Sequence, residues 1–199
     1  MKYITIVVLF LFIVYYSNTT SFESNKKDEI ELQIFNVVSI LFSVLFIYYL
    51  FLYGIKEGLF KAVLIWAFFV VATPIPEAGL LLTMPLKKLL SIPMYITQFI
   101  ASIIAFIYIM FSYFNYKKLM IAGTLGKFLV KILDNNYYSI FILCILSSTG
   151  ITYLLDLFID SIVYNEPLQV ISVKQISIAS VSTVCFFYYF VVLYCINHL

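Results

Sequence analysis

Apolar residues fall in runs long enough to cross a bilayer, with short polar intervals between them. Phe35 to Tyr53, Tyr95 to Tyr113 and Tyr138 to Leu155 carry no charged side chain. Gln175 to Ile196 is a fourth run, with Ser and Thr in its first half and the aromatic cluster Phe186 to Phe190 in its second. Ala62 to Thr83 is a fifth, interrupted by Thr73-Pro74-Ile75-Pro76-Glu77, and a shorter run, Ile4 to Tyr16, follows Lys2. A membrane-spanning helix takes about 20 predominantly apolar residues. The pattern therefore predicts an all-α, polytopic transmembrane helix bundle of about six spans, one of them proline-broken, forming a single integral membrane domain over residues 1–199. The first run has two readings: an uncleaved signal anchor over residues 1–16, or a cleaved signal peptide. An A-x-A-like cleavage site is missing after Tyr16, which favours the anchor.

Composition strengthens the membrane reading and removes others. Apolar residues make up 64% of the chain and charged ones 11%, against about 45–50% and about 25% in soluble domains. A net charge of +2 offers no basic stripe, so a nucleic-acid partner is not expected. Every basic residue is Lys, which reads as codon bias rather than chemistry. Cys144, Cys185 and Cys195 lie inside apolar runs and do not form a disulfide framework. With a single histidine, His198, neither a metal site nor a cofactor is expected.

Charge also sets the expected orientation. Lys117, Lys118, Lys127 and Lys131 face a single acid, Asp134, between residues 115 and 136, whereas acids dominate 17–33 and 156–174. The positive-inside rule counts basic residues and so places 115–136, with both termini, in the cytoplasm. Lys56 and Lys61 then lie inside, and Lys87-Lys88 is the exception. Within that loop Thr124, Lys127, Lys131 and Asp134 recur at helical spacing opposite Leu125, Phe128, Leu129, Ile132 and Leu133. This is an amphipathic cytoplasmic connector, read either as lying on the bilayer surface or as packed on the bundle. Gly123 and Gly126 at its entrance allow the chain to turn.

Candidate chemistry concentrates at the interruption. Pro74 and Pro76 lack backbone donors and push the preceding residues out of the α region. Glu77 stands in otherwise apolar sequence, where an ionisable group is a functional-site candidate by default, and broken helices carry the sites of many transporters. The alternative is an external turn after a span that ends at Thr73. Gln98, the most polar side chain of its run, is expected to face Glu77. Asp156 and Asp160, four residues apart, share a helix face and form a second candidate for a cation or a Lys partner, or sit in water at the interface. Thr97, Ala101 and Ala105 form a small-residue stripe suited to close helix approach. Nucleophilic and metal-dependent catalysis lack the residues they need, so an enzyme is the weakest reading. The expected function is a small transporter or channel-like protein with a substrate or ion site at the broken third span. The alternative is a non-catalytic structural or assembly subunit of a larger membrane complex. Expected partners are the lipid bilayer and either other membrane proteins or further copies of the chain. The expected location is the bacterial inner membrane.

Overall fold

The computed structural model describes residues 26–74, 79–90, 92–164 and 173–198. They form six helices and no strands: α1 (Lys26–Ala72), α2 (Leu80–Leu90), α3 (Met94–Ile121), α4 (Thr124–Asp134), α5 (Ser139–Tyr164) and α6 (Val173–His198). Four stretches among the described residues are long and apolar enough to cross a membrane: Phe35–Ala72, Met94–Ile121, Ser139–Phe158 and Ile176–Tyr194. The run from Ile4 to Tyr16, together with Pro76, Glu77 and Glu166, lies outside the described residues.

α1 is not one straight rod. Gly54 has φ 73° and ψ 174°, a combination that side-chain-bearing residues essentially never adopt, and the chain folds back on itself there. A Cβ placed on Gly58 would overlap the Tyr49 carbonyl oxygen, which requires the two arms, 26–53 and 55–72, to run side by side from the turn. Further along them the Phe42 and Phe69 rings meet edge to face at 6.2 Å. The sequence pattern separated apolar runs at Tyr53 and Ala62, but the second arm already begins at residue 55. Helix formation therefore absorbs Lys56, Glu57 and Lys61 instead of leaving them in a loop.

The other predicted runs also extend past their apolar limits. α3 continues through Lys117 and Lys118, bending at Tyr116, and α5 continues past Asp156 and Asp160. Polar residues at the ends of membrane helices keep the backbone paired while their heads reach the interface, so charge does not terminate the helix. The outward faces are apolar. Val37, Ile40, Leu41, Val44, Ile47 and Phe51 on the first arm of α1 are all exposed, at helical spacings that define one outward apolar stripe.

The core lies where the second arm of α1 meets α3, α4, the start of α5 and Tyr189 of α6. Leu129, Val130, Ile132 and Leu133 of α4 are buried in it, whereas Lys127 and Lys131 are exposed. α4 is thus the connector packed on the bundle, its apolar side covered by protein and not by lipid. Asp134 anchors its end: the Lys117 ammonium lies 2.6 Å from Asp134 Oδ1, and the Tyr113 hydroxyl donates to the same oxygen at 2.6 Å. The Lys117 ammonium, with support from Tyr113, holds the Asp134 carboxyl below its ordinary range.

The small-residue stripe faces inward. Thr97, Ala101 and Ala105 are buried, as is Ile109 a turn further on. α5 and α6 approach so closely that a Cβ on Gly150 would overlap Ser182 Oγ, and the Ser147 hydroxyl donates to the Ser182 carbonyl at 3.4 Å. Thr152, Ser180 and Thr183 instead donate to carbonyls four residues back in their own helices, the usual local choice for hydroxyls in apolar helices.

Candidate functional site

The interruption after Ala72 sits deep in the bundle. Val70, Val71 and Ala72 have no exposed surface, and Pro74 is buried. In a continuing helix the Ala72 carbonyl would accept from the N–H of residue 76, but residue 76 is proline and has none. The Tyr189 hydroxyl of α6 donates to that carbonyl instead, at 2.5 Å and fully buried. One turn earlier, the Thr73 hydroxyl donates to the Phe69 carbonyl. A side chain from a neighbouring helix thus supplies a donor to a carbonyl whose in-helix donor would be a proline.

Tyr189 belongs to the same buried cluster as Ala105, Ile109 and Phe141, and the Phe106 ring packs on Phe141 at 5.6 Å.

The chain is described again from Gly79, which lies against Gln98 of α3. A Cβ at position 79 would overlap the Gln98 carboxamide, so glycine is what lets the backbone reach that side chain. Gln98 is 1% exposed, and its Nε2 has no hydrogen-bond partner. Thr83, one turn along α2 from Gly79, is fully buried and its Oγ1 is also unpartnered. Ser39 on the first arm of α1 is a third such group. It stands one turn from Phe35, which packs with Met84 of α2. Gln98 on α3 and Ser39 on the first arm of α1 belong to helices that pack on α2, which itself carries Thr83. Buried polar groups are almost always paired; these three are exceptions, as are Ser112 Oγ on α3 and Thr149 Oγ1 on α5.

Of the candidate residues, Pro74 and Gln98 belong to this neighbourhood, and Gln98 abuts the backbone two residues after Glu77. Asp156 is half-buried on α5, just beyond Tyr153, whose ring meets Tyr95 near the start of α3 at 5.4 Å. Asp160 follows on the same helix, its side chain outside the described residues. The aspartates thus stand toward the end of the bundle where α3 begins. Among the described residues, no group of three or more His, Cys, Asp or Glu side chains is placed to hold a metal ion.

Sequence reasoning missed Tyr189, Thr83 and Ser39. Tyr189 sits in an aromatic cluster whose other members resemble lipid-facing residues, and its acceptor is 117 residues away. The missing N–H of Pro76 was the available signal that some donor had to reach Ala72.

The class this fold defines is an all-helical protein with helices able to cross a membrane. No known protein family, curated protein or solved structure matches the chain.

Proposed function

We propose that the chain is a small multi-pass transporter or channel-like protein of the bacterial inner membrane, with a site for a polar solute or ion at the interruption between α1 and α2. The observation that carries this reading is two buried, unpartnered polar atoms near the start of α2: Gln98 Nε2, whose carboxamide lies against the Gly79 backbone, and Thr83 Oγ1, four residues further along the chain. A donor and a hydroxyl held in an apolar bundle without protein partners are costly unless a solute or water pairs with them. Glu77 supplies a charge two residues from Gly79. Under this reading the two arms of α1 make two crossings, and α3, α5 and α6 make one each. With the N-terminal run this gives about six, and the four-Lys stretch lies on the cytoplasmic side. Helical construction, as opposed to a closed barrel, agrees with an inner membrane.

Flux into proteoliposomes tests the reading. For whichever ions or small polar solutes the wild-type chain passes, Glu77→Gln is expected to abolish flux while expression and helix content stay near normal. Gln98→Leu should lower it at least about tenfold, the effect of losing one well-placed hydrogen bond to a bound solute. Wild-type flux carried equally by Glu77→Gln would reject the site. The structural or assembly subunit is the second reading. It is favoured by the continuous exposed apolar stripe on the first arm of α1, where Phe51 is 86% exposed. Co-purification of foreign subunits in mild detergent, without flux from the isolated chain, would put it first.

A further inference from the structure

A second site, away from the interruption, is built around Lys61. This residue is 6% exposed, on the second arm of α1, and its ammonium stands 3.3 Å from the centre of the Tyr53 ring. Glu57, one turn before it, is exposed, and no carboxylate among the described residues pairs with Lys61. Among the described residues the Tyr53 ring face is the partner of this ammonium, and a ring face compensates a buried charge less than a carboxylate does.

Lys61 lines a cavity of about 180 Å³ together with Tyr53, Met120 and the first residues of α4, Thr124, Leu125 and Gly126. The N-cap of α4 is Gly123, which has no side chain to cap it, and the first helical bond is Lys127 N–H to the Gly123 carbonyl at 2.9 Å. The N–H groups between them are those a helix N-terminus offers to an anion, with the helix dipole behind them. Gly126 is needed for this placement, because a Cβ there would overlap the Met120 carbonyl. A buried cation and an uncapped helix start therefore share one cavity, and no acid among the described residues lines it.

Tyr49 and Ile65 line both this cavity and a second one of about 330 Å³ between the two arms of α1 and α2. That one is walled by Phe42, Phe46, Leu59, Trp66, Leu82 and Leu86, all apolar. Its size falls in the roughly 300–1,000 Å³ range of small-molecule sites. A cationic cavity at a helix start, next to an apolar slot with which it shares Tyr49 and Ile65 as a wall, matches a molecule with an anionic head and a hydrocarbon tail. Basic pockets between membrane helices are known places for anionic head groups.

We propose that this chain holds one anionic phospholipid, its phosphate on Lys61 and the start of α4 and an acyl chain between the arms of α1. The orientation expected from the Lys distribution puts this head group in the cytoplasmic leaflet. Gln98, a described residue, lines neither cavity, so loss of lipid with Lys61→Met and loss of flux with Gln98→Leu are separate readouts.

The test is titration of the delipidated, detergent-purified full chain with phosphatidylglycerol or phosphatidylcholine, read by native mass spectrometry. Wild type should prefer phosphatidylglycerol by about tenfold, and Lys61→Met should remove that preference while Lys61→Arg keeps it. Val63→Phe, which fills the apolar slot from its lining, should weaken phosphatidylglycerol without involving the charge. Inorganic phosphate and glycerol phosphate at millimolar concentration should not displace the lipid. Equal retention of the two lipids by wild type, an unaltered preference in folded Lys61→Met, or unaltered affinity in Val63→Phe would overturn the proposal. Displacement by inorganic phosphate would also overturn it, showing a site for a free anion. Should Lys61→Met fail to fold, the wild-type preference, Val63→Phe and the phosphate competition still decide.

Discussion

Gly54→Val is expected to destabilise the protein by about 1–3 kcal/mol and to loosen the two arms of α1. A Cβ at this position would meet nothing within 4 Å, so the penalty is conformational and not steric. Gly54→Asn should be no milder. Asn tolerates the left-handed helical well, but ψ 174° at Gly54 lies far outside it. Unfolding of the full chain in mixed detergent micelles measures the loss. A cysteine pair at positions 42 and 69, where the native rings lie 6.2 Å apart, reports the geometry. A short cross-linker should join them readily in the otherwise native chain and poorly with Gly54→Val. Equal cross-linking and stability would mean that the fold-back does not depend on Gly54.

Tyr189→Phe removes one hydroxyl and is expected to cost more than its size suggests. Interhelical hydrogen bonds in membranes average only about 0.6 kcal/mol, with a maximum near 1.7 kcal/mol, because freed groups find other partners. The Ala72 carbonyl cannot turn to its own helix, since the residue that would supply its helical donor is Pro76. The loss should therefore fall near the upper figure of about 1.7 kcal/mol. Tyr188→Phe, on an exposed ring next to it, should stay within about 0.5 kcal/mol. Pro76→Ala restores an N–H four residues after Ala72, so in that background Tyr189→Phe should cost less. Additive effects of the two substitutions would contradict this account of the helix end.

What the sequence made legible follows from the solvent. Lipid cannot pair with a backbone, so spanning segments must be apolar and helical, and their runs are visible without any structure. Pro74 and Pro76 mark the stretch around Glu77 in the sequence, and the structure ends α1 at Ala72 and begins α2 at Leu80. Gly54 was less visible: a single glycine between apolar runs gives no hint that helix resumes at the next residue. Lys61 read as an orientation marker because burial depends on what the fold-back lays over it, here Tyr53 and Tyr49. Gln98 stood out as polar, but its contact with Gly79 depends on where α2 packs. Thr83 and Ser39 resemble any hydroxyl in a membrane helix, most of which bond back to their own turn. Only packing distinguishes the ones that do not.

The central claim is that the interruption is a polar, water-reached site and not a dry turn. Cysteine accessibility at position 83 tests it most directly, in the full chain in liposomes with Cys144, Cys185 and Cys195 replaced by Ala. Thr83→Cys should react with a small, membrane-impermeant thiol reagent far faster than Ala105→Cys, which sits in the apolar core. A solute carried by the protein should slow that reaction. Labelling of Thr83→Cys no faster than Ala105→Cys, from either side of the membrane, would show a sealed structural turn and contradict the proposed site.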